Sequence, residues 1–155
     1  MKIYFAHPAF TEEQKRLKQT FLKAFTGALR KRCRAGKTSP PEIIDPFDHA
    51  PDIEGSGTEK AALAGAVASI CLRLLDDGDL VLALVDDDDA GVAFELGYAH
   101  ARSIPAILVS QSGAAEGANA MLTGTAQASI GRIMDAGRMQ TLADLVCGFA
   151  AVGGR

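Results

Sequence analysis

Apolar and polar positions fall into blocks along the chain, and the blocks alternate between two periods. "KIYFA" at 2–6 is a short apolar run that reads as a buried first strand, and "HPAF" breaks it. Thr11 then offers an N-cap, with Glu12 and Glu13 in the turn that follows. Leu17, Phe21, Ala24, Phe25, Ala28 and Leu29 recur at helical spacing, which predicts an amphipathic helix over 12–34. "GKTSPP" ends that helix, and "EIID" at 42–45 is a short second strand. Residues 45–58 carry acids and prolines without periodicity, as a long loop does. An Ala- and Leu-rich helix over 59–76 leads to "DLVLALV" at 79–85, a continuous apolar run that predicts a central strand. "VAFELGYAHARS" at 92–103 reads as a helix and "PAILVS" at 105–110 as a fourth strand. Residues 111–127 form a Gly/Ala/Ser-rich loop with room for one helical turn. "SIGRIM" at 129–134 is a fifth strand, and "TLADLVCGFAAV" at 141–152 a closing helix. Strands alternate with helices throughout. The expected architecture is therefore one α/β domain over 1–155, with a five-stranded, mostly parallel sheet and helices on both faces. Such sheets bind ligands beyond the carboxyl ends of their strands, which directs attention to the loops at 7–11, 45–58 and 86–92.

Composition narrows the classes. Hydrophobic residues make up 48% and charged residues 23%, with a net charge of −3, as in ordinary globular domains. The one dense positive run (Arg30, Lys31, Arg32, Arg34, Lys37) closes the first helix, where cations suit the helix dipole, so no nucleic-acid partner is expected. No apolar run reaches the roughly 20 residues that span a bilayer, and "MKIYFAHP" lacks the apolar stretch of a signal peptide. Cys33, Cys71 and Cys147 are widely spaced and odd in number, which suggests reduced thiols in a cytoplasmic protein.

The chemistry concentrates in "DDDDAGVAFELGYAHA". Glu95 is a lone acid in an apolar helical stretch, expensive to bury without partners. It is expected near the first turn of its helix, where free N–H groups favour an anion. The residues alone leave open whether Glu95 caps the helix or serves as a carboxylate nucleophile. The four aspartates are consecutive and cannot all point one way, so a solvated turn is favoured over a metal site.

"IYFAHPAF" at 3–10 and "DAGVAFELGYAHARSIPAILV" at 89–109 together resemble the nucleoside 2-deoxyribosyltransferase family. The second block keeps the spacing of D-x-G and E-x-G-Y-A, and "NAMLTG" at 119–124 is similar to the family's N-x-M segment. The resemblance implies a Rossmann/flavodoxin-like fold and a reaction on N-glycosidic bonds, without metal or organic cofactor. It implies that Glu95 attacks the anomeric carbon, that Tyr4 orients the Glu95 carboxylate, and that Asp89, with Gly91 of the same D-x-G motif, holds the sugar. Asn119 and Met121 would reach the site from a neighbouring subunit, so a homo-oligomer with shared sites is expected. Substrates would be nucleosides and free nucleobases. His7 stands where the family has a small residue and faces the expected cleft, as a contact to base or sugar or as an exposed loop histidine. Phe10, Phe47 and Phe94 are stacking walls or core.

The sequence departs from the family at position 71. The family has an Asp there that assists the departing base, and this chain has Cys71, a much weaker acceptor. Asp48, Asp52 and Asp76 are candidate substitutes from nearby segments. Base exchange on 2′-deoxynucleosides through a deoxyribosyl-Glu95 ester is the favoured expectation. A hydrolase of nucleosides or nucleoside 5′-monophosphates and a non-catalytic nucleotide-binding module are the alternatives. Anionic Asp89 would repel a phosphate, which favours nucleosides.

Overall fold

The computed structural model describes residues 1–50 and 57–152. Five strands, β1 (Lys2–Ala6), β2 (Glu42–Ile44), β3 (Leu80–Leu84), β4 (Ala106–Val109) and β5 (Ala128–Ile130), form a single sheet in the order β2-β1-β3-β4-β5. All four pairings are parallel, so the expected "mostly parallel" sheet is wholly so. The longer helices are α1 (Glu12–Gly36), α2 (Gly57–Asp76), α3 (Ala90–Ala101) and α5 (Ala136–Val152), with a short α4 (Ala120–Thr125) before β5.

Strand alternation assigns the helices to two faces. Ile3, Phe5, Leu80, Leu82, Leu84, Ile107 and Val109 pack against α1 (Phe21, Phe25, Leu29) and α5 (Leu142, Ala143, Val146). The intervening Tyr4, Ala6, Val81, Ala83, Val85 and Leu108 pack against Leu75 of α2 and Val92, Leu96 and Ala99 of α3. β1 and β3 are paired on both edges and covered on both faces, which is why they read as unbroken apolar runs.

The ends of α1 follow the local signals closely. Thr11 and Gln14 form a capping box, and Lys37 in the left-handed region closes the helix with N–H bonds back to Arg34 and Cys33. The second half of the chain departs from expectation. The 111–127 loop contains a 3-10 turn (Ala114–Glu116) as well as α4. β5 stops at Ile130 instead of running to Met134, because Gly131 packs against the backbone of Gly113 and Arg132 takes a left-handed φ of 49°. The closing helix begins at Ala136, one and a half turns before the apolar pattern at 141 shows it.

Chain direction reverses between β1 and β3: the connection from β1 leads to one edge of the sheet, and that from β3 to the other. The loops leaving the carboxyl ends of these two strands therefore diverge and leave a crevice, where such folds bind ligands.

Candidate active site

Tyr4 and Glu95 meet at this crevice. Tyr4 is fully buried in the middle of β1, and its hydroxyl donates to Glu95 Oε1 at 2.5 Å. Such a short bond to a carboxylate is charge-assisted. Oε2 accepts no hydrogen bond from the described residues, and no buried polar side-chain atom among them lacks a partner. Oε2 is thus the oxygen left open to solvent.

Glu95 lies in the second turn of α3, not the first. The cap is Asp89, whose Oδ1 accepts from Val92 N at 2.8 Å. The helix N-terminus is therefore served by Asp89, and the reading of Glu95 as a cap falls. Nor is Glu95 simply held ionised. Burial pushes its carboxyl up to about 7, and the nearby charge of Asp89 adds to this. The Tyr4 hydrogen bond and the charge of His7 act in the opposite direction. Burial and the neighbouring Glu95 raise the Tyr4 hydroxyl, which stays a proton donor at every working pH.

Cys71 stands beside this pair, half-buried on α2. Burial raises its thiol, against a hydrogen bond with Tyr4, and the charge of Glu95 adds to the rise. A neutral thiol thus occupies the place where the resemblance leads one to expect a carboxylate. Asp76 does not substitute for it, because Asp76 accepts from the Tyr98 hydroxyl and from Arg102 Nε on the surface. Asp48 is exposed in the 3-10 turn Pro46–Asp48 after β2, and Asp52 lies outside the described residues.

His7 is not an exposed loop histidine. Its side chain is fully buried, stacked on Phe5 at 4.5 Å and tilted against Phe47 at 5.0 Å. Its Nε2 lies 3.1 Å from Asp45 Oδ1 and its Nδ1 3.2 Å from the Pro8 carbonyl oxygen. Asp45 also accepts from Lys18 Nζ at 3.0 Å and from Phe47 N. Burial alone would raise the Asp45 carboxyl. The His7 hydrogen bond and charge, then Lys18 and the Phe47 N–H, overcome that and hold it at about 2. Sequence reasoning missed Asp45 and Lys18. The available signal was Asp before Pro at the end of a strand, which here caps the 3-10 turn.

The rest of the expected set is exposed or partly exposed. Phe10 is 71% exposed, and it meets the edge of the partly exposed Phe47 at 6.0 Å. Phe94 is exposed on α3. Gly91 is exposed in the first turn of α3, where an added Cβ would lie 3.0 Å from Asp89 Oδ1. Asn119 caps α4 through Met121 N, and Met121 is exposed. No hydrogen bond ties either side chain to Glu95 within this chain.

The aspartate run divides into separate structural tasks. Asp86 accepts from Gln111 N and Ser112 N, Asp87 from Gln14 Nε2, and Asp89 caps α3. Among the described residues no group of three His, Cys, Asp or Glu is arranged to hold a metal ion. No helix of the structure is long and apolar enough to cross a membrane. Open grooves on the outer surfaces of α1 (around Arg30 and Arg34) and α5 (around Leu145 and Phe149) belong to the opposite face of the sheet from Tyr4 and Glu95.

A family model described as nucleoside 2-deoxyribosyltransferase matches residues 3–136, which include both β1 and the Asp89–Glu95 segment. The chain belongs to the nucleoside 2-deoxyribosyltransferase family. A solved 2-deoxyribosyltransferase from the psychrotolerant bacterium Bacillus psychrosaccharolyticus is similar to it at 26% identity. The match covers 81% of this chain and 82% of that one, with a TM-score of 0.61. A conserved protein from Enterococcus faecalis V583 shares the fold at 22% identity, over 97% of this chain and 98% of its own, with a TM-score of 0.55. No curated protein matches the chain. Membership of this family makes the protein a transferase of the glycosyltransferase type, with nucleosides as its substrates. Its all-parallel five-stranded sheet is the flavodoxin-like fold of these structural neighbours.

Proposed function

We propose that this nucleoside 2-deoxyribosyltransferase-family protein exchanges the base of 2′-deoxynucleosides through a covalent ester on Glu95, with retention at the anomeric carbon. The observation that carries the reading is the Tyr4–Glu95 bond, which fixes one carboxylate oxygen and leaves Oε2 open. In the first step Oε2 bonds to C1′ as the C1′–N bond breaks, and the electron pair goes to the base nitrogen, which takes up a proton. In the second step a ring nitrogen of another base bonds to C1′ and gives up its proton to solvent, and the bond from C1′ to Glu95 Oε2 breaks to free the carboxylate. Each displacement passes through an oxocarbenium-like state whose positive charge the ionised carboxylate stabilises.

Asp89 Oδ1 is committed to the helix cap, so Oδ2 is the oxygen proposed to accept a sugar hydroxyl. Phe10 and Phe47, exposed on one side of the crevice, are proposed to flank the base. Cys71, neutral beside Tyr4, supplies no carboxylate to the departing base. Asn119 and Met121, exposed and unconnected to their own Glu95, are proposed to serve a neighbouring subunit's site. Incubation with a deoxynucleoside, with and without a second free base, tests the reading by chromatography. A new nucleoside is expected. Free sugar and base alone would mean hydrolysis, and no turnover with nucleosides or nucleotides would overturn the enzymatic reading altogether.

A further inference from the structure

Two of the three thiols meet on the face of the sheet opposite to Tyr4 and Glu95. Cys33 of α1 and Cys147 of α5 are 114 residues apart in sequence, and their Sγ atoms lie 3.7 Å apart. Cys33 is 3% exposed, whereas Cys147 is only partly buried against the same core. The two helices are fastened to each other at this level. Arg32 Nε donates to Asp144 Oδ1 at 2.7 Å, one residue before the first thiol and three before the second. The meeting of the thiols thus follows from the packing of α1 on α5.

The two sulfurs differ in what reaches them. A reagent in solution meets Cys147, and Cys33 lies behind it. This is the arrangement of an entry thiol with a resolving thiol. The surroundings suit an anionic reagent. The last turns of α1 and its cap carry Arg30, Lys31, Arg34 and Lys37, all exposed, and no ion pair holds any of them among the described residues. Arg30, Lys31 and Arg34 line an open groove on this helix. Such a cluster raises the local concentration of small anions.

We propose that Cys33 and Cys147 are a redox modification site, which a small anionic disulfide converts into a reversible covalent tie between α1 and α5. With glutathione disulfide as the reagent, Cys147 Sγ gives up its proton and bonds to one glutathione sulfur. The glutathione S–S bond breaks, and the other sulfur leaves with the electron pair and takes up a proton. Cys33 Sγ then gives up its proton and bonds to Cys147 Sγ, and the second glutathione leaves as a thiol. Two protein thiols are oxidised and one small disulfide is reduced to two thiols, with no other reagent. Burial, with Cys33 beside it, pushes the Cys147 thiol up to about 11, so the first exchange is slow at neutral pH. The second is intramolecular, and proximity drives it.

The test holds reduced wild-type protein with excess glutathione disulfide at mildly alkaline pH, blocks the remaining thiols and maps the digested peptides by mass spectrometry. A Cys33–Cys147 bridge is expected, with two hydrogens lost, no glutathione retained and full reversal by dithiothreitol. A glutathione adduct that persists on Cys147, free thiols at both positions or a bridge to Cys71 would overturn the proposal. In Cys33→Ala the reaction is expected to stop at a glutathione adduct on Cys147, and the absence of that adduct would overturn it too. Should Cys33→Ala not fold, Cys147→Ala gives the complementary reading: Cys33 is expected to stay reduced, and an adduct on Cys33 counts against the proposal. The bridge closes a long loop of the unfolded chain, so the oxidised wild type is expected to melt about 10 °C above the reduced protein, and an equal Tm would contradict a tie between the helices. All of these readouts are independent of turnover.

Discussion

Replacing Glu95 by Gln is expected to stabilise the protein, and only above a defined pH. Burial raises the Glu95 carboxyl from an ordinary value of 4.5 to about 7. Below pH 4.5 the group is protonated in both the folded and unfolded chains and burial costs nothing extra. Between the two values the unfolded chain gives up its proton and the folded chain does not, so wild-type stability falls as pH rises. Above pH 7 the full difference is present, about 3 kcal/mol at about 1.4 kcal/mol per pH unit. Glutamine keeps the oxygen that accepts from Tyr4 and never ionises. Urea unfolding of both proteins from pH 4 to pH 9 should give equal stabilities at pH 4. At pH 8 the variant should be more stable by up to about 3 kcal/mol, or roughly 5–10 °C in Tm for a chain of this size. An advantage that does not change with pH, or a less stable variant at pH 8, would refute the argument. Such a gain would accompany loss of the proposed nucleophile, the exchange of stability for activity that strained sites display.

Four other changes follow from the same structure. Tyr4→Phe removes the one hydrogen bond that favours the ionised Glu95 among the described residues, and kcat/KM for base exchange should fall about 10- to 100-fold with the fold intact by circular dichroism. Asp45→Asn leaves His7 and Lys18 without their anion and should cost about 3 kcal/mol in urea unfolding at pH 7. Because the Asp45 carboxyl is lowered from 3.8 to about 2, its contribution is complete above 3.8 and lost as pH falls through 2, and the deficit of the variant should shrink in that window. Gly131→Ala would place a Cβ 2.6 Å from Gly113 Cα, a backbone atom that cannot rotate away, and should cost about 2 kcal/mol or more by thermal unfolding. Cys147 meets Cys33 at 3.7 Å between α5 and α1, and burial with that neighbour pushes its thiol up to about 11; it should react with alkylating reagents at neutral pH far more slowly than an exposed thiol.

The legible part of this protein is where one local signal has one structural outcome. Thr11 with Gln14, the helical spacing from Leu17 to Leu29, and the apolar run at 80–84 each specify their element without help from the rest of the chain. β5 and the start of α5 were less legible. The end of β5 depends on Gly131 meeting Gly113, a contact between segments 18 residues apart in sequence. The first turn of α5 carries Gly137, Arg138 and Gln140, which conceal the buried Met139. At the site, the family resemblance points to Tyr4, Asp89 and Glu95, and the fold brings Tyr4 and Glu95 into contact. The placement of Glu95 near the first turn of its helix misleads about electrostatics, because the helix cap belongs to Asp89 and Glu95 lies a turn deeper, where burial dominates. The pairing of His7 with Asp45 spans 38 residues and three elements, and no local pattern announces it.

The central claim is that Glu95 carries the sugar between bases, and trapping the intermediate tests it most directly. The protein would be mixed with a 2′-deoxynucleoside in the absence of acceptor base, quenched in acid, digested and examined by mass spectrometry. The account predicts a single deoxyribosyl adduct on the peptide containing Glu95, absent in Glu95→Gln and discharged to a new nucleoside when a second base is added before the quench. Turnover without an adduct, or an adduct on any other residue, would contradict it.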